Sequence, residues 1–257
     1  MSQPSQRSQS SQPSSADELW SRRFHPAKNP AARLVCLPHA GGSASFFLPV
    51  AAELSPDVDV LAIQYPGRQD RRTEPAIDDA AILADRIHGV LRRQPPLPLT
   101  LFGHSLGATL AFEVARRLEA AGQRPVRLFA SGRRAPSAHR NESVHRNDAA
   151  IMAEVRRLSG TSSVLLDDEE MMRAALPALR ADYKAAETYR CAPDATVDCP
   201  ITVLTGDSDP KTTLDEAKAW GGHTTGALDL RVFPGGHFFI SEQAKQVMGV
   251  LKQHFRA

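Results

Sequence analysis

Cysteine is scarce in this chain. Three occur in 257 residues, Cys36, Cys191 and Cys199. None forms a C-x-x-C pair or a metal-ligand spacing, so neither a disulfide framework nor a zinc module is expected, and the three are read as reduced thiols. Charge of either sign is not in excess: 31 basic and 29 acidic residues leave a net +2, too little for a nucleic-acid partner. Long apolar runs are missing too. Nothing approaches the ~20 residues that span a bilayer, which excludes a membrane helix. Residues 1–17, mostly Ser and Gln, lack the apolar stretch of a signal peptide and are expected to form a disordered tail. No internal repeat is visible. The expectation is a cytoplasmic monomer with no cofactor, built as one domain over residues 18–257.

Against that plain background one stretch stands out. Leu99 to Leu118 reads LTLFGHSLGATLAFEVARRL. Leu99–Phe102 suits a buried strand, and Leu110, Ala111, Val114, Ala115 and Leu118 recur at helical spacing. Between them Gly103-His104-Ser105-Leu106-Gly107 fits G-x-S-x-G. A serine on so sharp a strand-to-helix turn is pushed out of the sheet edge, beside helix N–H groups that favour negative charge. The glycines fit because any side chain two residues away would collide across the turn.

Further strands are expected at Arg33–Leu37, Val58–Tyr65, Val126–Ser131, Ile201–Thr205 and Leu228–Phe233. A helical stripe runs from Ile77 to Leu91, and further helices are expected near Thr213–Trp220 and at Ala244–Leu251. Alternating strands and helices predict an α/β fold with a mostly parallel sheet and helices on both faces. Right-handed crossovers then gather the loops that carry chemistry at one sheet edge. The alternation breaks over about residues 137–192, where helices near Asn147–Leu158 and Asp168–Arg190 predict a helical lid. Its apolar residues Met152, Val155, Leu158, Leu165, Leu166, Met171, Met172, Leu176 and Leu179 suit either an adaptable acyl pocket or simple packing onto the body.

A serine hydroxyl needs a base, and the base needs a carboxylate to orient it. The chain order Ser, acid, His of this fold class is met by Ser105, then Asp209 or Asp207, then His237, each following a predicted strand. Asp209 is preferred because it sits further out and Pro210 holds it extended. Asp207 suits a bond within its own turn. His104 is expected to point away from the site, and His39 is read as structural. The oxyanion hole is expected from the N–H of Leu106 and one from Pro38-His39-Ala40-Gly41-Gly42, with Ala40 the favoured donor.

The chain resembles the type II thioesterases, the discrete α/β-hydrolases that serve polyketide and non-ribosomal peptide assembly lines. The likeness is carried by Pro38–Gly42, Tyr65-Pro66-Gly67-Arg68, Gly103–Gly107, Ser131-Gly132-Arg133-Arg134-Ala135-Pro136, Leu179-Arg180-Ala181-Asp182-Tyr183, Gly206-Asp207-Ser208-Asp209-Pro210 and Gly235-Gly236-His237-Phe238. It implies a triad of Ser105, Asp209 and His237, with oxyanion donors Ala40 and Leu106. It also implies hydrolysis of acyl groups from the phosphopantetheine thiol of acyl carrier proteins, in an editing role. No carrier-like segment occurs in the chain, so the acyl carrier protein is expected as a separate partner. Arg68, Arg71, Arg72, Arg133 and Arg134 fall at the active edge. They are expected either as a basic rim for that acidic partner or as arginines with internal partners. Alternatives are a medium-chain fatty acyl-carrier thioesterase, a generic serine esterase or acyltransferase, and a non-catalytic binding protein of the same fold.

Overall fold

The computed structural model describes residues 15–158 and 169–256. Residues 1–14 of the expected tail lie outside them. A helix, α1 (Ser15–Trp20), begins within the last three residues of that predicted tail.

In chain order, β1 (Ser21–Arg22) and β2 (Ala32–Leu37) are followed by α2 (Leu48–Leu54) and β3 (Val58–Ile63). Next come α3 (Ala80–Leu91), β4 (Leu99–His104), α4 (Leu106–Ala120) and β5 (Arg127–Ser131). The lid helices α5 (Asp148–Leu158) and α6 (Glu169–Thr188) precede β6 (Ile201–Gly206) and α7 (Leu214–Lys218). The chain closes with β7 (Leu228–Phe233), α8 (Phe239–Glu242) and α9 (Ala244–Arg256).

Seven strands form one sheet in the order β1-β3-β2-β4-β5-β6-β7. All neighbours pair in parallel except β1, which runs antiparallel to β3. The two-residue β1 is too short to leave a sequence pattern, which is why six strands were expected. The stripe from Ile77 starts as a helix only at Ala80. Asp79 stops it short by capping: its Oδ1 accepts from the N–H of Ala81 (2.8 Å) and of Ile82 (3.0 Å).

Residues alternate along each strand between two cores. Val35, Leu37, Leu101, Leu128 and Val203 pack on one face with α3 and α4. Leu34, Cys36, Phe102, Phe129 and Leu204 pack on the other with α2 and α9. Burial on both faces is what a parallel sheet with crossover helices requires. The chain leaves β2 in one direction for β3 and returns on the other side for β4. The loops after β2 and β4 therefore part at a crevice, the place where such sheets take their ligands.

Candidate active site

The β2–β4 register sets Leu37 beside Gly103, so the loop after β2 lies against the turn at Ser105. Gly107 makes that approach possible: a Cβ there would stand 2.0 Å from the Leu37 carbonyl oxygen. Ser105 itself sits at φ 54°, ψ −116°, a conformation unfavourable for a side-chain-bearing residue. Its hydroxyl caps nothing on α4, and the side chain lines a cavity. Leu106 opens α4, so its N–H has no intrahelical acceptor.

The loop after β2 is a four-residue turn closed by Gly42 N–H to His39 C=O (2.9 Å), with Gly41 at φ +75°. A positive φ at the third residue alone marks a type II turn, and glycine suits it. That turn makes no internal bond with the N–H of Ala40, which also lines the cavity.

Asp209 and His237 arrive from the loops after β6 and β7. His237 Nδ1 lies 3.0 Å from both Oδ1 and Oδ2 of Asp209. A carboxylate only accepts, so Nδ1 carries the proton and Nε2 is left as the basic nitrogen. Both side chains are buried, and His237 lines the same cavity as Ser105. Asp207 does something else. Its Oδ1 accepts from Gly235 N–H (3.1 Å), so it ties the acid loop to the histidine loop rather than to its own turn.

His39 and His104 surround this pair without the same freedom. The His104 ring is 5.2 Å from that of His237, fully buried beneath it, with Nδ1 3.0 Å from Ser131 Oγ. Burial, and then the neighbouring His237 and His39, hold its pKa well below the imidazole range. His39 lines the cavity with Nδ1 buried and unpartnered. Burial, followed by His237 and Arg68, brings its pKa down to about 3. Both rings are therefore neutral.

The cavity holds about 480 Å³, within the usual range for small-molecule sites. Ser105, His237 and Phe238 stand at the sheet side, and Val155, Leu158, Met172 and Leu179 form the lid wall. The two readings of the lid's apolar residues divide between them. Met171 also lines the cavity, whereas Met152 and Leu176 pack inside the lid against Ile151 and Tyr183. Leu165 and Leu166 lie outside the described residues. Among the described residues no cluster of three or more His, Cys, Asp and Glu is placed to hold a metal ion.

The thioesterase domain family matches residues 32–255. The chain belongs to the thioesterase family. Among solved structures it is similar to BorB, the type II thioesterase of the borrelidin biosynthetic cluster. That pair is 51% identical with a TM-score of 0.87, over 92% of this chain and 98% of BorB. The thioesterase PikA5 of Streptomyces venezuelae is 52% identical over 92% of this chain and 85% of its own length. A probable cadicidin biosynthesis thioesterase of Streptomyces griseus is 55% identical over 229 residues; the chain spans 63% of that relative's length. The type II resemblance drawn from the motifs thus extends over nearly the whole chain.

Of the two readings of the five arginines of this thioesterase, internal partners hold for Arg68, Arg71, Arg133 and Arg134. Arg68, Arg71 and Arg134 are 8%, 3% and 4% exposed. Arg68 pairs with Asp182, Arg71 with Glu74, and Arg134 with Glu142. Arg133 is half-buried on the cavity wall, donating to the Ala186 carbonyl of α6 (2.7 Å). Burial, then Arg134 nearby, lowers its pKa to about 10. Arg72 alone of the five is exposed, at the cavity's edge. Position after a strand does not distinguish an arginine facing solvent from one that finds a carboxylate far along the chain. The sequence reading also gave no role to Asp182, though it quoted the motif that contains it.

Among the described residues no helix is long and apolar enough to cross a membrane.

Proposed function

We propose that this thioesterase releases acyl groups from the phosphopantetheine thiol of a separate acyl carrier protein. Ser105 would be the nucleophile, His237 the general base and Asp209 its orienter. The N–H groups of Ala40 and Leu106 would hold the oxyanion. The observation that carries the reading is the meeting in one cavity of Ser105, a His237 ring whose Nδ1–H is fixed by Asp209, and an apolar lid wall.

The reaction runs in two steps. Ser105 Oγ attacks the thioester carbonyl while His237 Nε2 takes its proton. The tetrahedral oxyanion lies toward Ala40 and Leu106. Collapse breaks the C–S bond, His237 returns the proton to the thiolate, and an acyl-serine remains. Water, deprotonated by the same nitrogen, then adds to the acyl carbonyl, and the free acid leaves with Ser105 reprotonated. The lid wall accepts an acyl chain and keeps bulk water from the ester.

The role fitted to this chemistry is editing: removal of stalled or misprimed acyl units from an assembly line in polyketide or non-ribosomal peptide synthesis. The names of BorB and the Streptomyces griseus relative, each tied to a biosynthetic cluster or pathway, support that setting. Arg72, exposed beside the cavity, retains the expected contact with the acidic carrier. The test is intact-mass spectrometry of carrier protein loaded with acetyl, propionyl, butyryl and octanoyl groups. Unloading by the enzyme and none by Ser105→Ala is the expected result. Equal unloading by both proteins would overturn the reading.

A further inference from the structure

Two of the motifs that carry the family likeness have no part in the triad: Tyr65-Pro66-Gly67-Arg68 and Leu179-Arg180-Ala181-Asp182-Tyr183. They meet behind the turn that bears Ala40. Arg68 Nη1 and Nη2 donate to Asp182 Oδ2 (2.6 Å) and Oδ1 (2.9 Å). Asp182 Oδ2 also accepts the Gly41 N–H (2.7 Å), and Arg68 Nη1 also donates to the Gly42 carbonyl (3.2 Å). From the other end, the Tyr65 hydroxyl donates to the Pro38 carbonyl (3.1 Å). Asp182 is fully buried and belongs to the lid helix α6. The same helix presses Leu179 on the turn so closely that a Cβ on Gly41 would stand 2.5 Å from Leu179 Cδ2.

We propose that Asp182 is a positioning residue: from the lid, it holds the Pro38–Gly42 turn in the shape that aims the Ala40 N–H at the developing oxyanion. This rests on the role of Ala40 argued above. Ala40 lies between the two held points of the turn, Pro38 on one side and Gly41 with Gly42 on the other. A carboxylate suits the task because two oxygens must serve three N–H donors at once. Arg68 suits it for a second reason. A lone buried carboxylate behind an oxyanion hole would oppose the negative charge forming there, and the guanidinium neutralises it. Burial works against the charge on Arg68, but Asp182 outweighs it and raises the arginine's pKa, so the guanidinium stays charged. The oxyanion donor is thereby complete only with α6 docked, which couples the lid to the chemistry.

Asp182→Asn keeps the volume but turns an NH₂ toward Arg68 in either orientation, and toward Gly41 as well where it takes the place of Oδ2. The double variant Arg68→Met/Asp182→Leu replaces the ion pair by an apolar one, a change that commonly preserves folding, yet leaves Gly41 N–H without its acceptor. The assay uses hexanoyl-N-acetylcysteamine as substrate. A hexyl trifluoromethyl ketone, to whose carbonyl Ser105 Oγ adds to give a hemiketal oxyanion as His237 takes the proton, and a non-cleavable thioether analogue serve as ligands. In each folded variant kcat should fall at least about tenfold, a fraction of the 10²–10³ that one donor is worth. Ketone affinity should fall by a matching factor, with KM and thioether affinity unchanged. A folded double variant with wild-type kcat would overturn the proposal, as would equal losses for ketone and thioether. On the wild-type protein, amide hydrogen exchange should find Gly41 N–H protected although it lies in a loop. A rapidly exchanging Gly41 overturns the proposal even if neither variant folds. Ser105→Ala run alongside separates the two readings. If it retains hydrolysis, the proposed mechanism fails. If it is inactive while Asp182→Asn is normal, only the positioning role fails.

Discussion

Glu142→Gln tests how the lid is held to the body. Glu142 Oε2 accepts from Arg134 Nη2 (2.5 Å) and Oε1 from Lys211 Nζ (2.6 Å). Lys211 reaches on to Glu154 of α5 (3.0 Å), and its N–H donates to Asp209 Oδ1 (2.8 Å). One carboxylate thus stands between the loop after β5, the first lid helix and the loop that carries the proposed acid. Burial raises its pKa, but Lys211 and Arg134 outweigh burial and bring it from 4.5 down to about 2. A group whose folded pKa is depressed adds stability that is complete above its unfolded value and vanishes as pH falls through the folded one. The window is therefore pH 4.5 down to about 2. Linkage over that interval is on the order of 3 kcal/mol. Glu142→Gln should lower stability at pH 7 by about that amount, which for a chain of this size is a fall of roughly 6–12 °C in melting temperature. Urea unfolding of both proteins at pH 7, 5, 4 and 3 checks the sign. The gap should be constant from pH 7 to 5 and shrink steadily below 4.5. Equal midpoints at pH 7, or a gap that does not change between pH 5 and 3, would refute the linkage.

Asp209→Asn should leave the fold intact and lower kcat by about 10⁴, because an amide no longer fixes the His237 tautomer with Nε2 free; steady-state hydrolysis of an acyl thioester measures it. Gly107→Ala brings a Cβ to 2.0 Å from the Leu37 oxygen, a clash between two backbones that should destabilise by at least about 3 kcal/mol in denaturant titration. Gly249→Ala on α9, where nothing lies within 4 Å of the added Cβ, should instead stabilise by roughly 0.5–1 kcal/mol. Ala178→Leu narrows the lid wall of the cavity. It should exclude two or three methylenes of a long acyl group and lower kcat/KM for octanoyl thioester about thirtyfold, at ~0.8 kcal/mol per methylene, while leaving acetyl thioester unchanged.

The parts of this protein legible in the sequence are those written in local chemistry. The turn at Ser105 announces itself because only glycine fits where Gly103 and Gly107 approach backbone atoms. Asp209 and His237 could be found because each follows a strand of the right kind. The split of lid residues between cavity and packing was not legible, since Val155 and Met152, three residues apart on one helix, pack against the same lid cluster, yet Val155 lines the cavity and Met152 does not. Which of the two readings of the arginines holds was not legible for the same physical reason. Arg68 meets a carboxylate 114 residues away, on an element whose docking no local pattern specifies. Composition and spacing report which faces are apolar, not which buried charge will find its counter-charge. A buried arginine at an active edge nonetheless has few ways to exist. Burying a lone guanidinium is costly enough that a carboxylate must come to it. The one that comes here is brought by the lid. The ion pair that satisfies Arg68 is therefore also a joint between α6 and the Pro38–Gly42 turn, and the proposed positioning role grows out of a requirement of burial.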